Sequence, residues 1–256
     1  MILRRITEHV KTQNWFAVFL DFFIVVAGIL IAFQITNWSE AQKEGALERQ
    51  YLERLRNDIA LSAKQARVSI ADQENKLASQ RTLLKALNAC TLDEETRPDV
   101  VDGIFRIGQF EPLSLVRGVI DELQSTGRMG IISNVDLRRG LSEMLDEQQS
   151  HSDVRDYIVE RFSQQLAYVD ARQTINLPDG ETYWPDFNPD WMSFDFPTLC
   201  EDPLYLGAVS SIRFGTSVTV SHHEKMVVLY EAFLNNLDEE LGTAPQAAPT
   251  VDEPAP

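Results

Sequence analysis

Acidic and amide side chains alternate at Asp186, Asn188 and Asp190, as they do at the first three ligand positions of a calcium-binding loop. A loop of that type needs glycine at its sixth position for a sharp turn and glutamate at its twelfth as a bidentate ligand. Trp191 and Pro197 occupy those two positions in this chain. The sequence therefore excludes a calcium loop of this type.

A second group of potential metal ligands is formed by His222, His223 and Glu224. Adjacent residues on a helix point about 100° apart, which does not favour one shared ion. The H-E-x-x-H spacing of a helical zinc site is absent, and so are the G-x-S-x-G, P-loop and glycine-rich nucleotide motifs. We expect no metal and no cofactor. The sequence favours a protein without catalysis, although an enzyme of unrecognised type stays open.

Aromatic residues are concentrated in one proline-rich segment, which we interpret as a loop between helices; they are Tyr183, Trp184, Phe187, Trp191, Phe194 and Phe196. Such rings either pack over neighbouring helices or line a ligand pocket or a partner surface. Both interpretations stay open. If the loop has a binding role, the candidate residues are Tyr183, Trp184, Phe187 and Trp191.

Composition limits the possible partners. The chain has 256 residues and a formal net charge of −16, whereas nucleic-acid binding needs clustered Lys and Arg to neutralise phosphates. We therefore expect no nucleic-acid partner. The two cysteines, Cys90 and Cys200, lie far apart in sequence. A disulfide in an oxidising compartment and two free thiols in the cytosol are both open.

One apolar segment is long enough to cross a bilayer. The 20 residues from Phe16 to Ile35 would span about 30 Å as a helix. Trp15 and Trp38 bracket them, where amphipathic rings prefer to lie. No small-x-small cleavage site follows. We predict an uncleaved transmembrane anchor rather than a cleaved signal peptide.

The basic residues on either side of this anchor indicate its orientation. Arg4, Arg5 and Lys11 lie in the short N-terminal flank, whereas Lys43 and Arg49 are the first basic residues after the span. The excess on the N-terminal side favours a cytoplasmic N-terminus. We therefore expect the main domain outside the cytoplasm, in the periplasm of a bacterial inner-membrane protein.

An acidic residue interrupts the apolar segment. Gly28 and Ala32 each fall within about 20° of Asp21 around a helix axis. Gly28 and Ala32 form a small-xxx-small pair, the spacing that allows two membrane helices to approach closely. Two interpretations stay open. Either this stripe is a helix–helix interface, or Asp21 extends to the headgroups and the small residues are incidental.

The stretch DFFIVVAGILIAFQITNWSE (residues 21–40) resembles the signature of a family of uncharacterised bacterial single-pass membrane proteins that share a domain of unknown function. A second stretch, VIDELQSTGRMGIISNVDLRRGLSEML (residues 119–145), is similar to another segment of that family, and EDPLYLGAV matches more weakly. The resemblance implies a membrane location. It implies no activity, cofactor or catalytic residue.

The rest of the chain predicts an all-α fold, in which the transmembrane helix continues into a bundle-like domain with long helices. Leucines and other apolar residues recur at steps of three and four after Glu40, although Gln73 and Gln80 on the same stripe argue against a pure coiled coil. The predicted helices are 40–87, 98–110, 115–125, 137–175, a short one after Asp202, and 217–241. The predicted domains are a cytoplasmic flank (1–14), the membrane helix (15–38), a helical extracytoplasmic domain (39–242) and a disordered Pro/Ala-rich tail (243–256).

These features predict a membrane-anchored structural or interaction module. Its expected partners are the lipid bilayer and either a second copy of the chain or another membrane protein. The alternative function is an extracytoplasmic ligand-sensing domain that uses the aromatic loop, residues 183–196.

Overall fold

The computed structural model describes residues 15–176, 188 and 191–243. These residues form seven α-helices and one antiparallel pair of short strands, so the predicted all-α class is confirmed. In chain order the elements are α1 (Trp15–Ala89), α2 (Arg97–Phe105), α3 (Gly118–Ser125), a 3₁₀ turn (Met129–Ile131), α4 (Val135–Arg161), α5 (Ser163–Asp170), β1 (Gln173–Ile175), β2 (Met192–Phe194), α6 (Phe196–Glu201) and α7 (Pro203–Leu241).

The chain divides into two compact units, Met1–Tyr51 and Leu52–Pro256. In the described part of the first unit, α1 carries large apolar side chains that are mostly exposed: Phe16, Phe22 and Trp38 are 73, 66 and 67% exposed. Among the described residues, α1 is the helix long and apolar enough to cross a membrane.

In the second unit, α7 packs against α4, α5 and α6. The apolar core also takes side chains from the C-terminal part of α1 and from α2; its fully buried members include Leu83, Val100, Ile104, Val209 and Ile212. Tyr205 and Phe162 belong to the same cluster. This core holds the helices that position the polar residues described below.

Most positions of the stripe predicted on α1 are buried, including Gln73, Gln80 and Leu87, but the predicted position Ile70 and two later ones are only half-buried. Lys76 is 1% exposed and Leu83 is fully buried, whereas the predicted positions Leu77 and Leu84 are half-buried. The apolar pattern misled because a lysine occupies a core position, which sequence reasoning assigns to the surface.

Several predicted helix ends are confirmed. The SNVD segment, residues 133–136, predicts an N-terminal cap. The side chain of Asn134 indeed accepts hydrogen bonds from the backbone N–H groups of Asp136 and Leu137 and so caps α4. Gly242 ends α7 with φ of +66°, and Gly127 follows α3 with φ of +67°. A left-handed backbone favours glycine because it has no Cβ.

Other predicted boundaries are wrong. The second helix ends at Phe105 rather than residue 110, and the third begins at Gly118 rather than residue 115. The helix predicted over 137–175 is broken at Phe162, not in the HSD segment at 151–153, and its last residues form β1. The break places Phe162 in the core against Gly215, where a Cβ would lie 2.9 Å from its ring. A single helix, α7, replaces the two predicted after residue 202.

The segment predicted as a loop over 176–200 contains structure at its end. β2 pairs with β1 in antiparallel register, with Thr174 opposite Ser193, and α6 follows directly. Cys200 on α6 is joined to Cys90, just after α1, by a disulfide whose Cα atoms lie 5.3 Å apart, within the usual range. Of the two outcomes left open by the sequence, the structure has the disulfide.

Candidate functional site

Three long polar side chains lie close together at core positions on the face of α1 that packs in the second unit. Gln73 and Gln80 are fully buried, and Lys76 lies between them. Steps of three and four place them on one side of the helix. Neither amide has a hydrogen-bond partner among the described residues. Because an unpaired buried amide costs free energy, this layer of the core is polar at the expense of stability.

The buried ammonium of Lys76 is neutralised by two carboxylates. Its Nζ lies 2.8 Å from Asp72 on the same helix and 2.5 Å from Glu111, in the segment between α2 and α3. Asp72 also contacts Arg106 at 2.8 Å. Burial alone would raise the pKa of Asp72, but Lys76 and Arg106 outweigh it and hold that pKa below its ordinary value. The charges form a connected network.

Three histidines meet beside this network, where α4 packs on α7. The ring centroids of His151 and His223 are 4.8 Å apart, and those of His151 and His222 are 5.9 Å apart. His151 and His223 are 2% and 0% exposed. Ser69 Oγ on α1 lies 3.4 Å from His223 Nδ1. His223 Nε2 makes no well-formed hydrogen bond among the described residues, although the backbone of Glu111 is close enough to favour the charged ring.

Burial shifts both enclosed imidazoles towards the neutral form. Burial first, and then the neighbouring His151 and His222, lower the pKa of His223 to about 4, against the backbone of Glu111, which acts to raise it. The pKa of His151 is lowered by burial first, then by His222 and Arg155, while Glu147 acts in the opposite direction. A charge in a low-dielectric interior is unfavourable unless it is paired. At neutral pH the enclosed rings of His151 and His223 are therefore uncharged.

This arrangement can take up protons, because imidazole is the side chain whose charge changes between pH 5 and 8. Among residues 15–176, 188 and 191–243, no group of three or more His, Cys, Asp or Glu side chains is placed to hold a metal ion.

A second polar feature is a groove of about 400 Å³ between α1 and α7. Arg56 donates to Asp238 at 2.5 Å across it, and Arg67 pairs with Glu231. Lys64 also lines the groove. The two ion pairs connect α1 to α7 along this groove.

The predicted membrane-interface residues lie together on α1 within the first unit. Asp21, Gly28 and Ala32 are exposed, and a Cβ added to Gly28 would meet nothing within 4 Å. Thr36 Oγ1 donates to the carbonyl oxygen of Ala32 at 3.0 Å, which satisfies that hydroxyl within its own helix. Their role in association between helices stays a prediction.

The aromatic loop is described only at its C-terminal end. Trp191 is half-buried, Phe196 is buried in the apolar core, and Phe194 packs against that core. The rings that the structure describes therefore pack on helices. Three of the predicted ligand-binding residues, Tyr183, Trp184 and Phe187, lie outside the described residues, so a binding surface at 183–196 stays a prediction.

No family model, no curated protein and no solved structure matches this chain. The functional argument therefore depends on the chain's own residues and their placement.

Sequence reasoning found only part of the polar cluster. It singled out His222 and His223 as neighbours, and it noted Gln73 and Gln80 on the apolar stripe. It missed His151 and Lys76. The two glutamines at core spacing were the available signal, because a polar residue recurring on a buried stripe indicates a polar layer in the packed domain.

Proposed function

We propose that this protein is a membrane-anchored helical interaction module. The observation that carries the proposal is the N-terminal part of α1, whose large apolar side chains are exposed from Phe16 to Trp38. Exposure of so much apolar surface in water is unfavourable. A lipid bilayer removes that surface from water, and the helix satisfies its own backbone hydrogen bonds.

We place the second unit outside the cytoplasm, with the N-terminus inside. The Cys90–Cys200 disulfide supports this, because such bonds persist in the periplasm and are rare in the reducing cytosol. Arg4, Arg5 and Lys11 before the span support the same orientation. The resemblance of residues 21–40 to bacterial single-pass proteins favours the inner membrane.

Topology reporters test the orientation. Alkaline phosphatase and green fluorescent protein are each fused after Leu241, at the end of α7. We expect phosphatase activity and no fluorescence, because phosphatase matures only outside the cytoplasm and the fluorescent protein folds well only inside it. Fluorescence without phosphatase activity would overturn the orientation. Recovery of the full-length chain in a salt-washed soluble fraction would overturn the anchor itself.

We further propose that the anchor associates with a second copy through Asp21, Gly28 and Ala32. The small side chains allow close approach, and the carboxyl can then find a donor on the facing helix. Gly28→Leu, alone and with Asp21→Leu, should reduce crosslinked dimer of the full-length protein in membranes.

The matched control for this crosslinking is Ala27→Leu, which enlarges a small residue that lies about 120° from Asp21 around the helix axis. It should leave the dimer unchanged. If Gly28→Leu and Ala27→Leu give equal amounts of dimer, association through this stripe is wrong.

A further inference from the structure

Three of the chain's four histidines gather at one place in the second unit, where α4 packs on α7. His151 and His223, distant in sequence, have ring centroids 4.8 Å apart with planes tilted by 32°. His222 approaches His151 edge-on. Neighbouring imidazoles of this kind pack well only while neutral, since two imidazolium ions at this distance repel.

Charged groups face this pair from each element packed around it. α1 contributes Lys76, with its partner Asp72, and the segment after α2 contributes Glu111. α4 contributes Arg155, which disfavours a charge on His151, and Glu147, which favours one. Lys76 disfavours a charge on His223. The two carboxylates nearest Lys76 are already engaged by it, and on this side the backbone of Glu111 is the group that favours a charge on His223.

Glu147 is the carboxylate placed to neutralise a new charge on the histidines, but it is already paired with another side chain. Its Oε2 accepts from Lys225 at 2.7 Å, and its Oε1 lies 4.0 Å from His222 Nδ1. His222 is partly exposed beside Glu147. His151 and His223 are enclosed, so a proton on either must be hydrated or must force the helices apart.

We propose that the His151–His223 pair is a proton-binding site through which acidification loosens the packing of α4 on α7. The polar layer on α1 contributes to this response. Gln73 and Gln80 face the interior without partners, so that layer gains hydrogen bonds to water when it opens. Protonation and hydration therefore favour the same opened state.

The pH range follows from the direction of the shifts. Both histidines have pKa values below the ordinary value near 6.5, and that of His223 is about 4. As pH falls, the unfolded or opened chain takes up protons first, so stability is full above about pH 6.5 and declines towards pH 4. Below the folded-state pKa values both states are protonated and the loss stops growing.

The test uses full-length protein in detergent and follows Tm between pH 7.5 and pH 4.5. We compare the wild type with the double variant His151→Gln, His223→Gln, in which neither side chain titrates. The wild-type Tm should fall by several degrees more than that of the double variant. His9→Gln, which removes the histidine outside the described residues, is the matched control and should behave as the wild type.

Equal acid-induced falls in wild type and double variant would overturn the proposal. If the double variant does not fold, histidine NMR of the wild type with ¹³C-labelled imidazoles decides. Two histidine resonances should titrate below the ordinary range, and the proposal fails if all four titrate near pH 6.5. The location of this site outside the cytoplasm rests on the proposed function, whereas the titration of the two histidines does not. The proposed function and the proton-binding site can therefore fail separately.

Discussion

Cys90 and Cys200, 110 positions apart in sequence, are joined by a disulfide that ties the end of α1 to α6. Cys90 has φ of +51° and is the one non-glycine residue with positive φ among the described residues. A side chain in this left-handed region costs about 1–2 kcal/mol relative to the usual backbone. The bridge therefore joins the C-terminal end of α1 to the helix that ends the aromatic segment, and it does so at a strained residue.

Removing the disulfide should destabilise the second unit. Cys200→Ser should lower the free energy of unfolding by about 2–4 kcal/mol, because the long loop regains conformational freedom in the unfolded chain. Urea unfolding with and without reductant measures this. Reductant should weaken the wild type and leave the variant unchanged. In the Cys200→Ser background, Cys90→Gly should be more stable than Cys90→Ser, because glycine accepts positive φ.

Close packing of α2 on α1 depends on Gly103. A Cβ at this position would lie 2.6 Å from the carbonyl oxygen of Ser79, which is backbone and cannot move aside. Gly103→Ala should therefore cost about 1–3 kcal/mol through overpacking. The matched control is Gly207→Ala on α7, where a Cβ meets nothing within 4 Å, so the gain in helix propensity should make it neutral or slightly stabilising. Similar losses at both sites, measured by urea unfolding, would contradict this packing.

The polar layer on α1 should be replaceable by apolar groups at a gain in stability. Gln73→Met keeps the length of the side chain and removes two buried groups without partners. We expect a Tm increase at pH 7.5, where the nearby histidines are neutral. Gln65→Met, at an exposed position of the same helix, should leave Tm unchanged. A lower Tm for Gln73→Met would show that this amide has a partner in solution.

Asp202 joins two parts of the fold through its two carboxylate oxygens. Oδ1 accepts from the backbone N–H groups of Leu204 and Tyr205 and caps α7, while Oδ2 accepts from Tyr168 at 2.7 Å and from Arg172 at 2.9 Å. The pKa of Asp202 lies below its ordinary value, first because Tyr168 donates a hydrogen bond to the carboxylate. The backbone donors and Arg172 also lower this pKa, whereas partial burial acts to raise it.

Asp202→Ala should therefore lower Tm at neutral pH, and Asp202→Asn should lie between it and the wild type because an amide oxygen still caps a helix. A carboxylate with a lowered pKa stabilises the fold above its unfolded value, near 3.9, and that contribution is lost as pH falls further. The Tm difference between wild type and Asp202→Asn should thus shrink below pH 4. A difference that stays constant from pH 7 to pH 3 would contradict the role of the charge.

The sequence predicted the helical class and the longest helix well because both depend on local signals. The apolar run and the stripe on α1 are periodic, Asn134 caps its own helix, and Gly127 and Gly242 supply positive φ at helix ends. The predicted helix boundaries were wrong where contacts between residues distant in sequence determine the structure. The break at Phe162 depends on space left by Gly215, and no local signal near Phe162 indicates that space.

By itself, then, the sequence determined a long apolar helix with an acidic residue on a small-residue stripe, and a helical domain following it. Only the tertiary structure decided that Cys90 meets Cys200 and that His151 on one helix stacks on His223 of another. The reason is physical. Periodicity and capping act over a few residues of one helix, whereas the burial that lowers the pKa of His223 exists only once several helices have packed around it.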